Sequence, residues 1–142
     1  MNNSSLTDRK LAYLVFRLIL GIDTLIHGVV RILPPGVNAF ATGTSKAFAG
    51  TVLPFGFVHA FLVTVPFIEA ILGALILLGL FLRPALVAGG LLIGVFVFGT
   101  SLRSDWPTVS IQMIHAIVYY LLLANRADDW LSLDNWRRRN RE

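Results

Sequence analysis

Cysteine is absent from this chain, and charged residues make up only 14% of its 142 residues. Without cysteine, the chain alone cannot exchange disulfides, use a thiolate as a nucleophile or hold an iron–sulfur cluster through thiolates. Soluble domains usually contain about 25% charged residues, whereas 56% of the residues here are hydrophobic. The shortage of charge therefore indicates a chain whose surface faces lipid.

The hydrophobic residues fall in four blocks, at residues 11–33, 55–82, 84–102 and 107–124. Because about 20 helical residues cross a hydrocarbon core, the blocks predict an all-α, polytopic four-helix membrane bundle, one domain over residues 11–125. A polar N-terminal tail at residues 1–10 and a basic C-terminal tail at residues 126–142 flank it. In the long connection after the first block, Phe40 and Phe48 indicate a short helix or lid over the mouth of the bundle.

The first block has a second interpretation, as a secretory signal peptide. Arg9 and Lys10 form a basic segment before it, and Ala39-Phe40-Ala41 resembles a cleavage site. However, Arg17 and Asp23 interrupt the apolar run. We therefore favour a membrane helix.

The basic residues indicate how the chain crosses the membrane. They lie at block ends without interleaved aromatic residues, so we expect no nucleic-acid partner despite the net charge of +4. One side of the predicted bundle collects eight of them, Arg9, Lys10, Arg83, Arg126, Arg137, Arg138, Arg139 and Arg141, and the other side has three, Arg31, Lys46 and Arg103. This asymmetry predicts cytoplasmic N- and C-termini. Trp130 and Trp136 predict a short interfacial segment after the last helix.

Glycines are concentrated in the third block, where Gly90 and Gly94 form a GxxxG spacing. Such a spacing lets helix backbones approach closely. It is typical either of a homo-oligomer face or of an internal packing seam, and both interpretations stay open.

Polar and ionisable residues inside the blocks carry the functional argument. A charge at the bilayer centre costs about 2.5 to 3.5 kcal/mol on insertion scales, and such groups usually face the bundle interior. They are Arg17, Asp23, His27 and Arg31 in one stripe of the first helix, Glu69 in the second, and Gln112, His115 and Tyr119 on one face of the fourth. Because Asp23, Glu69 and His115 lie near the midpoints of their blocks, we expect them at similar membrane depth.

Two interpretations of these residues remain. In the first, which we favour, they line a midplane cavity in which Glu69 and His115 exchange protons. The remaining six would bind the ligand: Arg17, Asp23, His27, Arg31, Gln112 and Tyr119. This interpretation predicts that Glu69→Gln stays stable while turnover falls. In the second, Arg17 and Arg31 neutralise Asp23 and Glu69 as buried ion pairs that fix helix register.

Several motifs stand out in the first two blocks: Arg17-Leu18-Ile19-Leu20-Gly21, then His27-Gly28 with Arg31, and Glu69 and Gly73 followed by Leu77-Leu78-Gly79-Leu80 and Arg83. In this combination the chain resembles the DoxX/DoxD family of bacterial and archaeal four-helix membrane proteins, over about residues 11–124. It departs from the family pattern at Arg31, where lysine is frequent, and at Leu72-Gly73, where a double glycine is frequent. A third departure is Asp23, where an apolar or small residue is expected.

The resemblance implies a prokaryotic cytoplasmic membrane and association with redox enzymes. Some members look like the small membrane subunit of a thiosulfate:quinone oxidoreductase, and others like membrane anchors in redox complexes. The chain would then be a quinone-binding subunit that works with other membrane or redox subunits. The alternative is a non-catalytic scaffold or accessory subunit. A small-solute or proton-coupled transporter fits less well, because four helices without an inverted repeat are atypical of transporters.

The expected ligand is a quinone or a similar headgroup within membrane lipid, with no intrinsic cofactor and no metal. In the quinone interpretation, His27 or His115 hydrogen-bonds a quinone carbonyl, Glu69 exchanges a proton, and Arg17 or Arg31 stabilises negative charge. Haem held by the two histidines is disfavoured, because histidines beside carboxylates are more often hydrogen-bonded polar groups.

The topology can be tested with reporter fusions at Lys46 and at the C-terminus. Because basic residues are retained on the cytoplasmic side, we expect the C-terminal reporter in the cytoplasm and the reporter at Lys46 on the opposite side. Reporters on the same side would contradict the four-span arrangement.

Overall fold

The computed structural model describes residues 3–140, which form helices and loops without a β-strand. The helices are α1 (Asn3–Ile32), α2 (Val37–Lys46), α3 (Phe55–Leu78), α4 (Leu82–Leu102), α5 (Trp106–Ala124) and α6 (Leu133–Arg139). Four of them, α1, α3, α4 and α5, are long and apolar enough to cross a membrane. The predicted all-α chain with four candidate membrane spans is thus confirmed.

Several boundaries differ from the sequence prediction. Helix α1 begins at Asn3, within the predicted polar tail, and α4 begins at Leu82 rather than Pro84. Helix α3 ends at Leu78 because Gly79 adopts the left-handed conformation (φ 62°), which terminates helices. Residues 1, 2, 141 and 142, including one of the counted arginines, lie outside the described residues.

Helices α1 and α3 run antiparallel and touch through their backbones. A Cβ atom on Gly28 would overlap the backbone of Pro66 and Ala70, and one on Gly73 would overlap the backbone of Leu25. Apolar side chains give little driving force for association inside lipid, so close packing at small residues takes on that role. Among the described helices, α1 and α3 form the most extensive contact.

In α4, the glycine that allows close packing is Gly89 rather than the predicted pair. A Cβ on Gly89 would overlap the ring of Tyr119 on α5, whereas a Cβ on Gly90 would meet only the Cβ of Tyr119, at 3.7 Å. Gly94 is exposed, and a Cβ there would meet no described atom within 4 Å. The Gly90–Gly94 spacing is therefore not an internal seam, and its use in a homo-oligomer stays a prediction.

The first part of α1 and the segment after α5 meet at one end of the bundle. Arg9, near the start of α1, pairs with Asp128, which follows α5, at 3.0 Å. Asp134 of α6 accepts hydrogen bonds from the backbone amides of Phe81 (3.0 Å) and Leu82 (2.8 Å). The segment after the last span thus folds back and caps the start of α4.

The opposite end of the bundle is closed by α2 and the α4–α5 turn. Asp105 caps α5 by accepting from the amide and hydroxyl of Thr108, and it pairs with Arg103 at 3.0 Å. The Arg103 guanidinium lies 5.1 Å from the ring centre of Phe48, just after α2. These contacts hold α2 against the membrane helices.

The α1–α3 contact gives a stability prediction. We expect Gly73→Ala to lower stability by about 1 to 3 kcal/mol, the usual cost of overpacking a tight interior, because the new methyl group meets the Leu25 backbone. Thermal unfolding in detergent would measure the loss. The matched control is Gly56→Ala in the same helix, which adds the same methyl group at an exposed position with no described atom within 4 Å and should leave the unfolding temperature unchanged or raised. Equal effects at both positions would contradict the assigned contact.

Candidate ligand-binding cavity

A polar cavity of about 190 Å³ lies between α1, α3, α4 and α5. Seven of the eight residues proposed as site residues line it: Asp23, His27, Arg31, Glu69, Gln112, His115 and Tyr119. The three helices that carry these residues were predicted to share a polar centre from spacing and depth alone. The structure brings the seven side chains together, and their chemical roles stay predictions.

Arg31 and Glu69 form the ion pair at one side of the cavity. The Arg31 guanidinium donates to the Glu69 carboxylate, which is buried, while the Arg31 side chain is 27% exposed. The Arg31 guanidinium also lies 4.7 Å from the ring centre of Phe40 on α2. The close contact between α1 and α3 at Gly28 brings Arg31 within reach of Glu69, because Arg31 follows Gly28 by about one helical turn.

Asp23 lies between the two histidines of the cavity. One of its carboxylate oxygens, Oδ2, is 3.1 Å from Nε2 of His115, and the other, Oδ1, is 3.4 Å from Nδ1 of His27. Nδ1 of His115 is in turn 2.9 Å from the carbonyl oxygen of Ile111, one turn earlier on α5. The Asp23 carboxylate is thus hydrogen-bonded to His115 on α5, whereas the hydrogen bond of His27 goes to the backbone carbonyl oxygen of Asp23.

The remaining polar groups of the cavity are held by neighbouring side chains. The hydroxyls of Tyr119 and Thr24 are 3.2 Å apart, and Tyr119 is buried against Gly89. The hydroxyl of Thr100 lies 2.7 Å from the amide oxygen of Gln112 and 2.8 Å from the backbone carbonyl oxygen of Phe96, and its single proton serves one of them. Gln112 lines the cavity, and its amide NH₂ group is a hydrogen-bond donor.

Arg17 does not join the others. It is 2% exposed and donates to the carbonyl oxygens of Ile76 (3.1 Å), Leu77 (3.3 Å) and Leu131 (2.6 Å). The last carbonyls of a helix lack intrahelical partners, and Arg17 donates to two of those at the end of α3, Ile76 and Leu77. Arg17 therefore lies away from the cavity in which it was expected to bind a ligand, and its pairing with Asp23, the alternative interpretation, is not formed.

An apolar pocket of about 490 Å³ adjoins the polar cavity. Four residues line both spaces: Arg31, Phe96, Thr108 and Gln112. Phenylalanine dominates the pocket, with Phe40 and Phe48 from the α2 region and Phe61 meeting Phe96 edge-to-face at 6.4 Å. Only part of this pocket was indicated by the sequence, through the short helix or lid expected at Phe40 and Phe48.

A metal site is not formed by the described chain. Within residues 3–140, no group of three or more His, Asp or Glu residues is arranged to hold a metal ion. The two cavity histidines instead hydrogen-bond oxygen atoms.

No protein-family model, curated protein or solved structure matches this chain. The resemblance to the DoxX/DoxD family therefore rests on the sequence motifs alone.

The Arg31–Glu69 pair changes the expectation for Glu69→Gln. The hypothesis that this variant stays stable assumed a carboxylate without an ionic partner, whereas the substitution would leave Arg31 uncompensated. Breaking a buried pair typically costs about 3 to 5 kcal/mol, and we expect the lower end of that range because Arg31 is partly exposed.

A double-mutant cycle measures this pair directly. Glu69→Gln and Arg31→Gln should each lower the unfolding temperature in detergent, and the double variant should lose less than the sum of the two. Asp23→Asn is the matched control, because its carboxylate contacts histidines and is 40% exposed, so a smaller loss is expected. Additive losses in the double variant would be inconsistent with pairing.

Proposed function

We propose that this chain is a DoxX-like integral membrane subunit of a quinone-linked redox complex in a prokaryotic cytoplasmic membrane. In this proposal it binds a quinone headgroup in the polar cavity and the attached hydrocarbon chain in the apolar pocket. The observation that carries the proposal is the wall shared by the two spaces at Arg31, Phe96, Thr108 and Gln112. A polar space joined to an apolar one suits a ligand with a polar ring and a hydrophobic tail.

The sizes of the two spaces support this division. Ligand pockets for drug-sized molecules usually measure about 300 to 1,000 Å³, and the polar cavity, at about 190 Å³, is smaller. It is suited to a single ring rather than a whole lipophilic molecule. The apolar pocket, at about 490 Å³, lies within the usual range and offers aromatic walls to an alkyl or isoprenoid chain.

The hydrogen-bonding groups of the cavity suit quinone carbonyl oxygens, which accept but do not donate. The Gln112 amide is a donor near the cavity wall, and so is one of the Tyr119 and Thr24 hydroxyls, since the other donates within their mutual hydrogen bond. His115 remains the candidate for proton exchange, and Asp23 replaces Glu69 as its partner because Glu69 is held by Arg31. In this proposal the electrons come from a partner subunit of the complex.

The arrangement of the chain ends supports the proposed orientation. Arg9 and Asp128 meet at the end of the bundle that also carries α6 with its three terminal arginines. Both termini then lie on one side, and the excess of basic residues there favours the cytoplasmic side.

Filling the apolar pocket tests the proposal. We expect Gly99→Leu to abolish retention of quinone by the purified protein, because Gly99 lines the pocket and a Cβ there already lies 3.4 Å from the Phe48 ring. Gly56→Leu is the matched control, since a Cβ at Gly56 meets no described atom within 4 Å and the residue does not line the pocket. Mass spectrometry of lipophilic molecules extracted after gentle purification measures retention, and thermal unfolding verifies that both variants fold.

The same purification distinguishes the alternative function. Retained quinone in wild type and in Gly56→Leu, with loss in Gly99→Leu, is the expected result. A bundle without quinone that co-purifies with a stoichiometric protein partner would instead favour a non-catalytic scaffold.

A further inference from the structure

Both ring nitrogens of His115 face oxygen atoms. Nδ1 is 2.9 Å from the carbonyl oxygen of Ile111, and Nε2 is 3.1 Å from Oδ2 of Asp23. A neutral imidazole carries one N–H, while a carbonyl and an ionised carboxylate only accept hydrogen bonds. A neutral His115 beside an ionised Asp23 can therefore form only one of these two hydrogen bonds. Forming both requires one additional proton.

The charges of the cavity residues also favour an additional proton at the Asp23–His115 pair. Arg31 and Glu69 neutralise each other, and among the described lining residues Asp23 is then the one carboxylate without a cationic side chain. A net charge near the middle of a membrane span is costly and is normally compensated by a partner. One additional proton at His115 makes this group of residues neutral.

Few other titratable groups face the pair. On α1, His27 holds its Nδ1 2.9 Å from the backbone carbonyl oxygen of Asp23 and 3.4 Å from Oδ1. Helix α3 contributes Glu69, which is paired with Arg31, and α5 contributes the hydroxyl of Tyr119. The described α4 residues in the lining are glycine and hydrocarbon side chains. No second cation therefore competes for Asp23 within the described lining.

We propose that Asp23 and His115 form a proton-binding site inside the membrane, in which His115 is an imidazolium that donates from Nε2 to the Asp23 carboxylate. The ionised form of Asp23 suits the site because its carboxylate also lies next to His27. The proton-binding site itself does not depend on a ligand. Its use as a proton donor to a bound quinone rests on the proposed function.

Nitrogen NMR of the full-length protein tests this site directly. The protein would be labelled with ¹⁵N-histidine and placed in phosphatidylcholine bilayers without quinone. His59 serves as an internal reference, because it lies outside the cavity, near Thr42 at 3.3 Å. At a pH at which His59 gives the spectrum of a neutral ring, we expect one other histidine with two protonated nitrogens.

Variants assign that signal. His115→Gln should remove it, and His59→Gln, the matched control, should leave it in place. Asp23→Asn should convert His115 to a neutral ring, because the amide removes the negative charge that the proton balances. If Asp23→Asn does not fold, the protonation of His115 in the wild-type spectrum tests the proposal by itself. A wild-type His115 with one unprotonated nitrogen at that pH would overturn the proposal, and so would a doubly protonated His115 in folded Asp23→Asn. Because no quinone is present, failure of the quinone proposal would leave this result unaffected.

Discussion

The backbone contact between α1 and α3 determines where the polar groups of the bundle meet. Gly28 and Gly73 let the two antiparallel helices touch without intervening side chains. Arg31 lies one turn beyond Gly28, and at this short interhelical distance its guanidinium reaches Glu69. A side chain at either glycine would separate the helices and leave both charges in an apolar medium, where an unpaired charge is costly.

The two arginines of α1 show two ways to accommodate a cation within a membrane span. Arg31 is neutralised by a carboxylate, whereas Arg17 satisfies three carbonyl oxygens, two at the end of α3 and one at Leu131. Carbonyl oxygens at a helix C-terminus carry partial negative charge, so they stabilise a cation without a second ionised group. Arg17 thereby ties the C-terminal segment to α1 and α3, and Arg31 stays near the cavity.

Helical spacing and depth were sufficient to predict which residues of α1, α3 and α5 share the cavity, because a membrane span has a fixed rise per residue and buries its polar groups. They were not sufficient for Arg17. Its partners depend on where α3 ends, at the left-handed Gly79, and on the fold-back of the segment around Leu131. The phenylalanine pocket was also largely missed, since periodicity cannot separate a phenylalanine that lines a pocket from one that faces lipid.

From the sequence, a ligand cavity and buried ion pairs are alternative interpretations of the same polar residues. The structure contains both a cavity and an ion pair, because different residues form them. Glu69 is held by Arg31, whereas Asp23 lies between two histidines and remains at the cavity wall. The ion pair also affects access, since Arg31 lines both the polar cavity and the apolar pocket and contacts Phe40 of α2. One side chain, Arg31, thus joins the ion pair at the polar cavity to the aromatic wall that α2 provides to the apolar pocket.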